Sequence, residues 1–298
     1  YTDVFQGSLM LFGLIIVPAA AIYASGGWGE VLSNLASQDP HLIDLFAVSA
    51  NGEPSIIIIA SFLAIGLPLL GMPQLLVRFI SARDDGELKK ARIVSSSVLL
   101  MLTFGAVTAG VAGRALFPGL EDAETIFPVI SNNLFPQIIS GLLLVVVLSA
   151  IMSTVDSLLL LVSSSVIRDT YQKIFKSNKN ERLLSIYGKY ITIFIGLLAV
   201  FIAIQEPRVI FDFVLLSWSG LGSAFGPVII GILYSKKTTW EGVIAGMSGG
   251  FLASTIRVTW FKEDYYGLYE AIPGFIIGLL LTFGVSWLTS SKKQRKIH

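Results

Sequence analysis

The run ISGLLLVVVLSAIMSTVDSLLLLVSSS, residues 139–165, decides how this chain is read. An α-helix rises 1.5 Å per residue, so about 20 apolar residues cross the ~30 Å hydrocarbon core of a bilayer. This run exceeds that length and holds a single ionisable side chain, Asp156. A carboxylate at the centre of a membrane helix costs about 2.5–3.5 kcal/mol on insertion scales and persists where it faces a cavity, a partner or an ion. Ala150, Ser153, Thr154 and Ser157 recur at i, i+3, i+4 and i+7, which places a small residue and three hydroxyls on one stripe. Hydroxyl and carbonyl oxygens beside a carboxylate make an oxygen-only environment of the kind that suits a hard cation. Such stripes also glue membrane helices together.

Seven further runs of similar character flank this one. The spans read as residues 5–25, 55–80, 93–113, 135–165, 186–204, 209–234, 240–258 and 270–290, which makes an all-α polytopic membrane protein of about eight transmembrane helices. Composition agrees: 54% of the 298 residues are hydrophobic and 14% charged, against about 25% charged in a soluble domain. A net charge of +1 gives no reason to expect nucleic acid. With no cysteine and two histidines, thiolate and imidazole metal clusters are excluded. Of the 21 lysines and arginines, only Arg114, Arg208, Arg257 and Lys262 fall in the connections after odd-numbered spans. Cytoplasmic loops carry the excess of positive charge, so both ends of the chain are expected in the cytoplasm of a plasma-membrane protein. The opposite connections, residues 26–54 and 114–134, read as short surface helices and turns, with Glu121, Asp122 and Glu124 as solvated charges. Tyr1 opens on an apolar stretch with neither Met nor a basic leader, and the chain is expected to be a piece of a longer one.

The second span reads SFLAIGLPLLGMPQLLVRF, residues 61–79, with Gly66, Pro68, Gly71 and Pro73 close together. Each proline removes a backbone donor, so this helix should break. A broken membrane helix is tolerated where protein or a water-filled cavity covers its freed carbonyls, and so points to a binding site at mid-depth, although a proline kink also serves packing. Asp3 starts the first span, followed one turn later by Gln6 and then Ser8; on its own it reads as a wetted interfacial carboxylate or helix cap. In the sixth span, SWSGLGSAFGPV describes a small-faced, bent helix that another helix can approach closely.

Together, TDVFQGSLM, GMPQLLVRF, LSAIMSTVDSLLLLVSS with IRDTY, WSGLGSAFGPV and GLYEAIPGF, in this order along nearly the whole chain, resemble the sodium/solute symporter family, most closely its sodium/proline branch. The resemblance implies a LeuT-type inverted-repeat fold, here partial. Residues 1–25 would be the last helix of the first repeat, 55–234 the five helices of the second, 240–290 two peripheral helices and 291–298 a basic cytoplasmic tail. The preceding helices of the first repeat would be partners missing from this chain. The resemblance further implies that Ala150 through its carbonyl, and Ser153 and Thr154 through their hydroxyls, hold sodium. It makes Asp3, with Asp156 and Ser157, an accessory cation or coupling site. Ile65, Gly66, Leu69, Gly71, Pro73 and Gln74 would line the solute. Where the proline branch carries aromatic residues in the second span, this sequence has Ile65 and Leu69, while Pro73 is retained.

The implied function is sodium-coupled symport of a small organic solute, an amino acid such as proline, by alternating access, with Na+ as coupling ion and no other cofactor. Two rivals stand beside it: a membrane sensor module of a symporter-like signalling protein, and an intramembrane enzyme using Asp3 and Asp156 as a dyad. No second catalytic signature accompanies that dyad, and the expectation is a protein that is not an enzyme. The segment alone is expected not to transport.

Overall fold

The computed structural model describes residues 2–44, 56–174, 180–205, 210–261 and 268–295. Every regular element among them is helical, as hydrocarbon demands of a chain that must satisfy its backbone groups internally. The α-helices are α1 (Thr2–Ala24), α2 (Trp28–Gln38), α3 (Ile56–Ala64), α4 (Pro73–Ile80), α5 (Asp85–Leu116), α6 (Ile126–Leu134), α7 (Gln137–Ser164), α8 (Glu181–Gln205), α9 (Ile210–Tyr234), α10 (Trp240–Trp260) and α11 (Ala271–Arg295). Residues 45–54 of the first outer connection and 296–298 of the basic tail lie outside the described residues, as do Lys176, Lys179, Arg208 and Lys262.

Six of the described helices are long and apolar enough to cross a membrane: α1, α5, α7, α8, α9 and α11. The bent pair α3 and α4 makes a seventh if it counts as one span. The eighth expected span, 240–258, is present as the 21-residue α10 but falls short in apolar character. The reason is its buried stripe, Gly242, Gly246, Gly250 and Ser254, spaced four apart. A Cβ on Gly242 would overlap the Ser286 side chain and one on Gly246 that of Thr282, so the small face is seated on α11. Small residues that admit a neighbouring helix lower hydropathy while staying covered.

Two boundaries also differ from the expectation. α5 begins at Asp85, eight residues before 93, because the charged stretch ahead of the apolar run is a helix start. The Asp84 side chain accepts from Glu87 N at 2.8 Å, and the Glu87 carboxylate accepts from Arg83 N at 3.0 Å, an arrangement akin to a capping box. The helix of α7 does not stop at 165 but widens into a π-type segment, Ser165–Ile174. There Arg168 forms a two-pronged ion pair with Glu181 at 2.9 and 2.6 Å, and Ser163 Oγ donates to Gly188 O at 2.8 Å. The exposed ion pair adds little stability, but its two-pronged geometry ties the π-type segment to the start of α8.

The chain divides into two compact units, one of α1, α2 and α5–α8, the other of α3, α4 and α9–α11. This division by packing cuts across the division by sequence order that the resemblance implied.

In the first unit α1 packs against α5, α6 and α7. Val17 and Ala21 of α1, Val31 and Leu35 of α2, Ala112 and Ala115 of α5, Ile130 of α6 and Leu143 of α7 form the core. The surface helix α2 thus buries one face against this core, as expected of the outer connection. Gly26 and Gly27, both at positive φ of 89° and 110°, turn the chain from α1 into it. A Cβ on Gly13 would sit 2.7 Å from Val146 Cγ1, and four to eight residues further along α1, Val17 and Ala21 share the core with Leu143. Numbers rise on α1 as they fall on α7, so the two helices run antiparallel.

In the second unit α9 packs against α10, α11 and the short 3-10 turn Leu67–Gly71 that interrupts the second span. A Cβ on Gly222 would overlap Pro68, and one on Gly71 would lie 2.5 Å from Gly226 N and 2.8 Å from Gly222 O. Backbone meets backbone at this contact, and only glycine leaves the room. Gly222→Leu is therefore expected to displace the turn and cost at least the ~1–3 kcal/mol of an overpacked core. The check is a fall in the melting temperature of the purified protein, which Gly220→Leu, adjacent but off the turn, should show far less.

Candidate functional site

The buried side of α7 is marked by Ser140, Leu143, Val146 and Ser149. At ~100° per residue, Ser153 and Ser157 fall within about 20° of Val146 around the helix, and Ala150 within about 40°. These three are half-buried and prolong the inward side of α7 toward its C-terminal end. Thr154 and Asp156 lie about 80° to either side of that line, and both are exposed. Thr154 Oγ1 donates to Ala150 O at 3.1 Å and Ser157 Oγ to Ser153 O at 2.9 Å. A hydroxyl carries one proton and two acceptor lone pairs. With those protons spent inside the helix, the oxygens of Thr154 and Ser157 are left as acceptors, which is what a cation requires of its ligands.

The antiparallel register brings the start of α1 to this part of α7. Gln6 lies seven residues before Gly13 and Ser153 seven beyond Val146, so both are displaced by about 10 Å in the same direction from the Gly13–Val146 contact. Gln6 is thus level with Ser153, and Asp3, one turn further out, with Ser157. Asp3 is exposed. Gln6 is only 6% exposed, and its Oε1 is buried without a hydrogen-bond partner. The α1–α7 seam therefore has Gln6, Ala150, Ser153 and Ser157 along its line, with Asp3 on α1 and Thr154 and Asp156 on α7 each about 80° off it, on the flanks. The sequence had given Gln6 no role; its signal was a carboxamide at i+3 from Asp3 on an otherwise apolar helix. A cavity of about 650 Å³ in the same unit, between the end of α7 and α8, is lined by Leu160, Ser163, Arg168, Glu181 and Gly188 and includes none of the seam residues.

The second unit holds the broken span. α3 ends at Ala64, Leu67–Gly71 forms the 3-10 turn, Met72 is extended at φ −78° and ψ 115°, and Pro73 starts α4 after a bend of 51°. Pro73 stands at the first helical position, where its missing donor costs nothing. Pro68, Gly71 and Met72 are buried, the first two against α9, whereas Gly66 and Leu69 are exposed. Ile65 packs on the small cluster of Ala64, Tyr269 and Ala271. That cluster is tied by Tyr269 N donating to Ser61 Oγ at 2.9 Å and Tyr269 OH donating to Leu215 O at 3.3 Å. Gln74 Nε2 donates to Met72 Sδ at 3.1 Å, while its Oε1 is buried with no partner. The six residues named for the solute thus divide: Gly71 seats the turn, Ile65 packs at its entrance, and Gly66, Leu69, Pro73 and Gln74 stand around the break.

Residues 1–250 match the family model described as sodium:solute symporter family. The chain belongs to that family. It is 35% identical over 298 residues to the high-affinity proline transporter PutP of Bacillus subtilis, covering 99% of this chain and 62% of that protein. It is also 35% identical over 300 residues to the sodium/proline symporter of Staphylococcus aureus, covering 97% of this chain and 58% of that protein. Among solved structures, a substrate-bound, outward-open Na+-coupled sialic acid symporter matches with a TM-score of 0.74 at 17% identity, covering 96% of this chain and 61% of that one. The fold is accordingly the LeuT-like one, and this sodium:solute symporter family chain spans about three fifths of the length of the relatives it matches.

A buried amide oxygen left without a donor costs about 1–3 kcal/mol, so a chain that keeps Gln74 keeps a destabilising group. Gln74→Leu is expected to raise the melting temperature of the purified, solute-free protein. A fall instead would assign Gln74 to packing.

Proposed function

We propose that this chain serves sodium-coupled secondary active symport of a small organic solute, an amino acid and in first place proline, by alternating access in the plasma membrane. Membership of the sodium:solute symporter family and two relatives named as proline transporters support the class and the solute. The observation that supports the ion assignment is the state of the Thr154 and Ser157 hydroxyls, whose protons are bonded to the helix's own carbonyls while their oxygens stay available. Sodium is held by the Ala150 carbonyl and the Ser153 and Thr154 hydroxyls. Asp3, Asp156 and Ser157 form an accessory cation position, and Gly66, Leu69, Pro73 and Gln74, with Ile65 and Gly71 behind them, line the solute. Residues 55–234 form the second inverted repeat, preceded by the last helix of the first, 1–25, and followed by the peripheral helices 240–290 and the basic tail 291–298. Both ends face the cytoplasm, as the distribution of lysine and arginine supports. The remaining sodium ligands come from the first-repeat helices.

Coupling requires that sodium and solute each bind one conformational state better than the other. One charge entering at ~100 mV, inside negative, gains about 2.3 kcal/mol. A tenfold sodium gradient adds about 1.4 kcal/mol. Together these support roughly several-hundredfold accumulation of solute.

Full-length protein in proteoliposomes should take up radiolabelled proline only with an inward sodium gradient. Ser153→Ala and Thr154→Ala should each raise the sodium concentration for half-maximal uptake by about tenfold or more, the loss of one good ligand. Uptake that proceeds equally in potassium would overturn the coupling, and an unchanged sodium dependence in both variants would overturn the site.

A further inference from the structure

We infer that the groove between the end of α7 and the start of α8 binds one anionic phospholipid of the cytoplasmic leaflet. Lys189 and the hydroxyls of Ser164 and Ser185 hold its phosphate, and an acyl chain lies along the two helices. The groove and its charge stand apart from the sodium reading; the choice of leaflet alone rests on the orientation proposed above.

The groove measures about 650 Å³, within the range of sites that take small molecules. Ile167 and Leu184, both buried, line it from within the α7–α8 packing. Toward the middle of the span it runs between Leu160 of α7 and Ile193 of α8, both exposed apolar side chains. Toward the loop it ends at the ion pair of Arg168 and Glu181, whose charges cancel. That leaves Lys189, which lies three residues inside the span 186–204 and is exposed. Lys189 makes no ion pair or hydrogen bond among the described residues. Ser163 Oγ donates to Gly188 O at 2.8 Å, so the next residue on each helix, Ser164 and Lys189, stands at the same level of the groove.

An ammonium group near the end of a membrane helix is costly unless it reaches the interface or meets an anion. Basic pockets between membrane helices on the cytoplasmic side are where anionic headgroups seat. With Arg168 and Glu181 cancelling, the groove carries one surplus positive charge. A phospholipid of net charge −1 balances it, whereas a zwitterionic one brings its own cation. Phosphate oxygens accept from ammonium and hydroxyl donors alike. The headgroup level is marked separately by aromatic residues, which gather at membrane–water interfaces: Tyr171 and Tyr187 meet edge to face at 6.1 Å, and Tyr190 is exposed beside Lys189 in sequence. The most apolar 18-residue stretch of α8 contains no buried residue, which leaves an acyl chain apolar surface to follow. A helix from the rest of the protein, or a second copy, would also cover apolar walls, but the surplus charge calls for an anion.

The test takes full-length protein, purified in detergent and stripped of lipid, and measures binding of phosphatidylglycerol and of phosphatidylcholine by native mass spectrometry. The parent is expected to bind phosphatidylglycerol about fivefold more tightly than phosphatidylcholine, the contribution of one lysine near a membrane surface. Lys189→Gln should remove that preference and Lys189→Arg keep it. Lys173→Gln should leave it unchanged, because Lys173 already pairs with Asp169 at 2.7 Å. Equal binding of the two lipids by the parent, or a preference that survives in Lys189→Gln, would overturn the inference. Should Lys189→Gln fail to fold, Ser185→Trp, which fills the groove, decides. Loss of bound phosphatidylglycerol, with the melting temperature of the lipid-free protein kept, supports the lipid. Retained binding overturns it. A melting temperature that falls without lipid present assigns the groove to another part of the protein, and a change of oligomeric state assigns it to a second copy; either result overturns the inference.

Discussion

A carbonyl freed inside hydrocarbon has no water to turn to, and much of this structure follows from how that constraint is met. Two prolines in the second span make an unbroken helix unattainable, so the chain must find cover for the turn between α3 and α4. It does so with glycine: Gly222 of α9 and Gly71 of the turn itself let the Pro68–Gly71 backbone come down onto another backbone, closer than any side chain permits. The small face of the sixth span and the prolines of the second are therefore two halves of one device. Each is costly alone, since α9 gives up apolar side chains and the second span gives up hydrogen bonds. Together they leave a bent segment whose outer side, at Gly66, Leu69 and Gln74, is not consumed by packing.

The same constraint shapes α7. Serine and threonine inside a membrane helix bond back to the carbonyl four residues earlier, and Ser149, Thr154 and Ser157 all do. That bond satisfies the proton locally, so the hydroxyl can be placed in an apolar setting without seeking a partner helix. What remains is an oxygen with lone pairs. A helix built this way presents acceptors without donors, and a row of acceptors favours a cation over a neutral hydrogen-bonding partner. Packing glue between helices would instead use the proton across the interface, as Ser163 does with Gly188 and Ser254 with Ser219. Both kinds of serine occur in this chain.

Much of this was legible in the sequence, and the parts that were not share a cause. Length and apolarity located the spans because hydrocarbon filters for both. α10 fell short of the same standard because its stripe of glycine and serine is covered by α11, and a covered face need not be apolar. The start of α5 was hidden because Asp84 and Glu87 look like loop charges until their side chains are seen accepting backbone protons. The stripe on α7 could be read from spacing, but the separation of Ala150, Ser153 and Ser157 from exposed Thr154 and Asp156 depends on which side of the helix meets α1. That depends on a register fixed by Gly13 and Val146, a hundred residues and more apart in sequence. Gln6 was invisible for the same reason: nothing in its own neighbourhood distinguishes a wetted glutamine from one enclosed by a distant helix.

Charge and neutral oxygen occupy different places on the seam. Asp3 and Asp156 are both exposed, on the flanks of the seam. The enclosed positions at Gln6, Ala150 and Ser153 carry only dipoles. A carboxylate buried at the centre would need a permanent counter-charge. Neutral oxygens avoid that demand, since an enclosed dipole without its ion costs a few kcal/mol where an enclosed charge costs several times more. Placing the charges outside and the dipoles within thus keeps the cost of burial along the seam low.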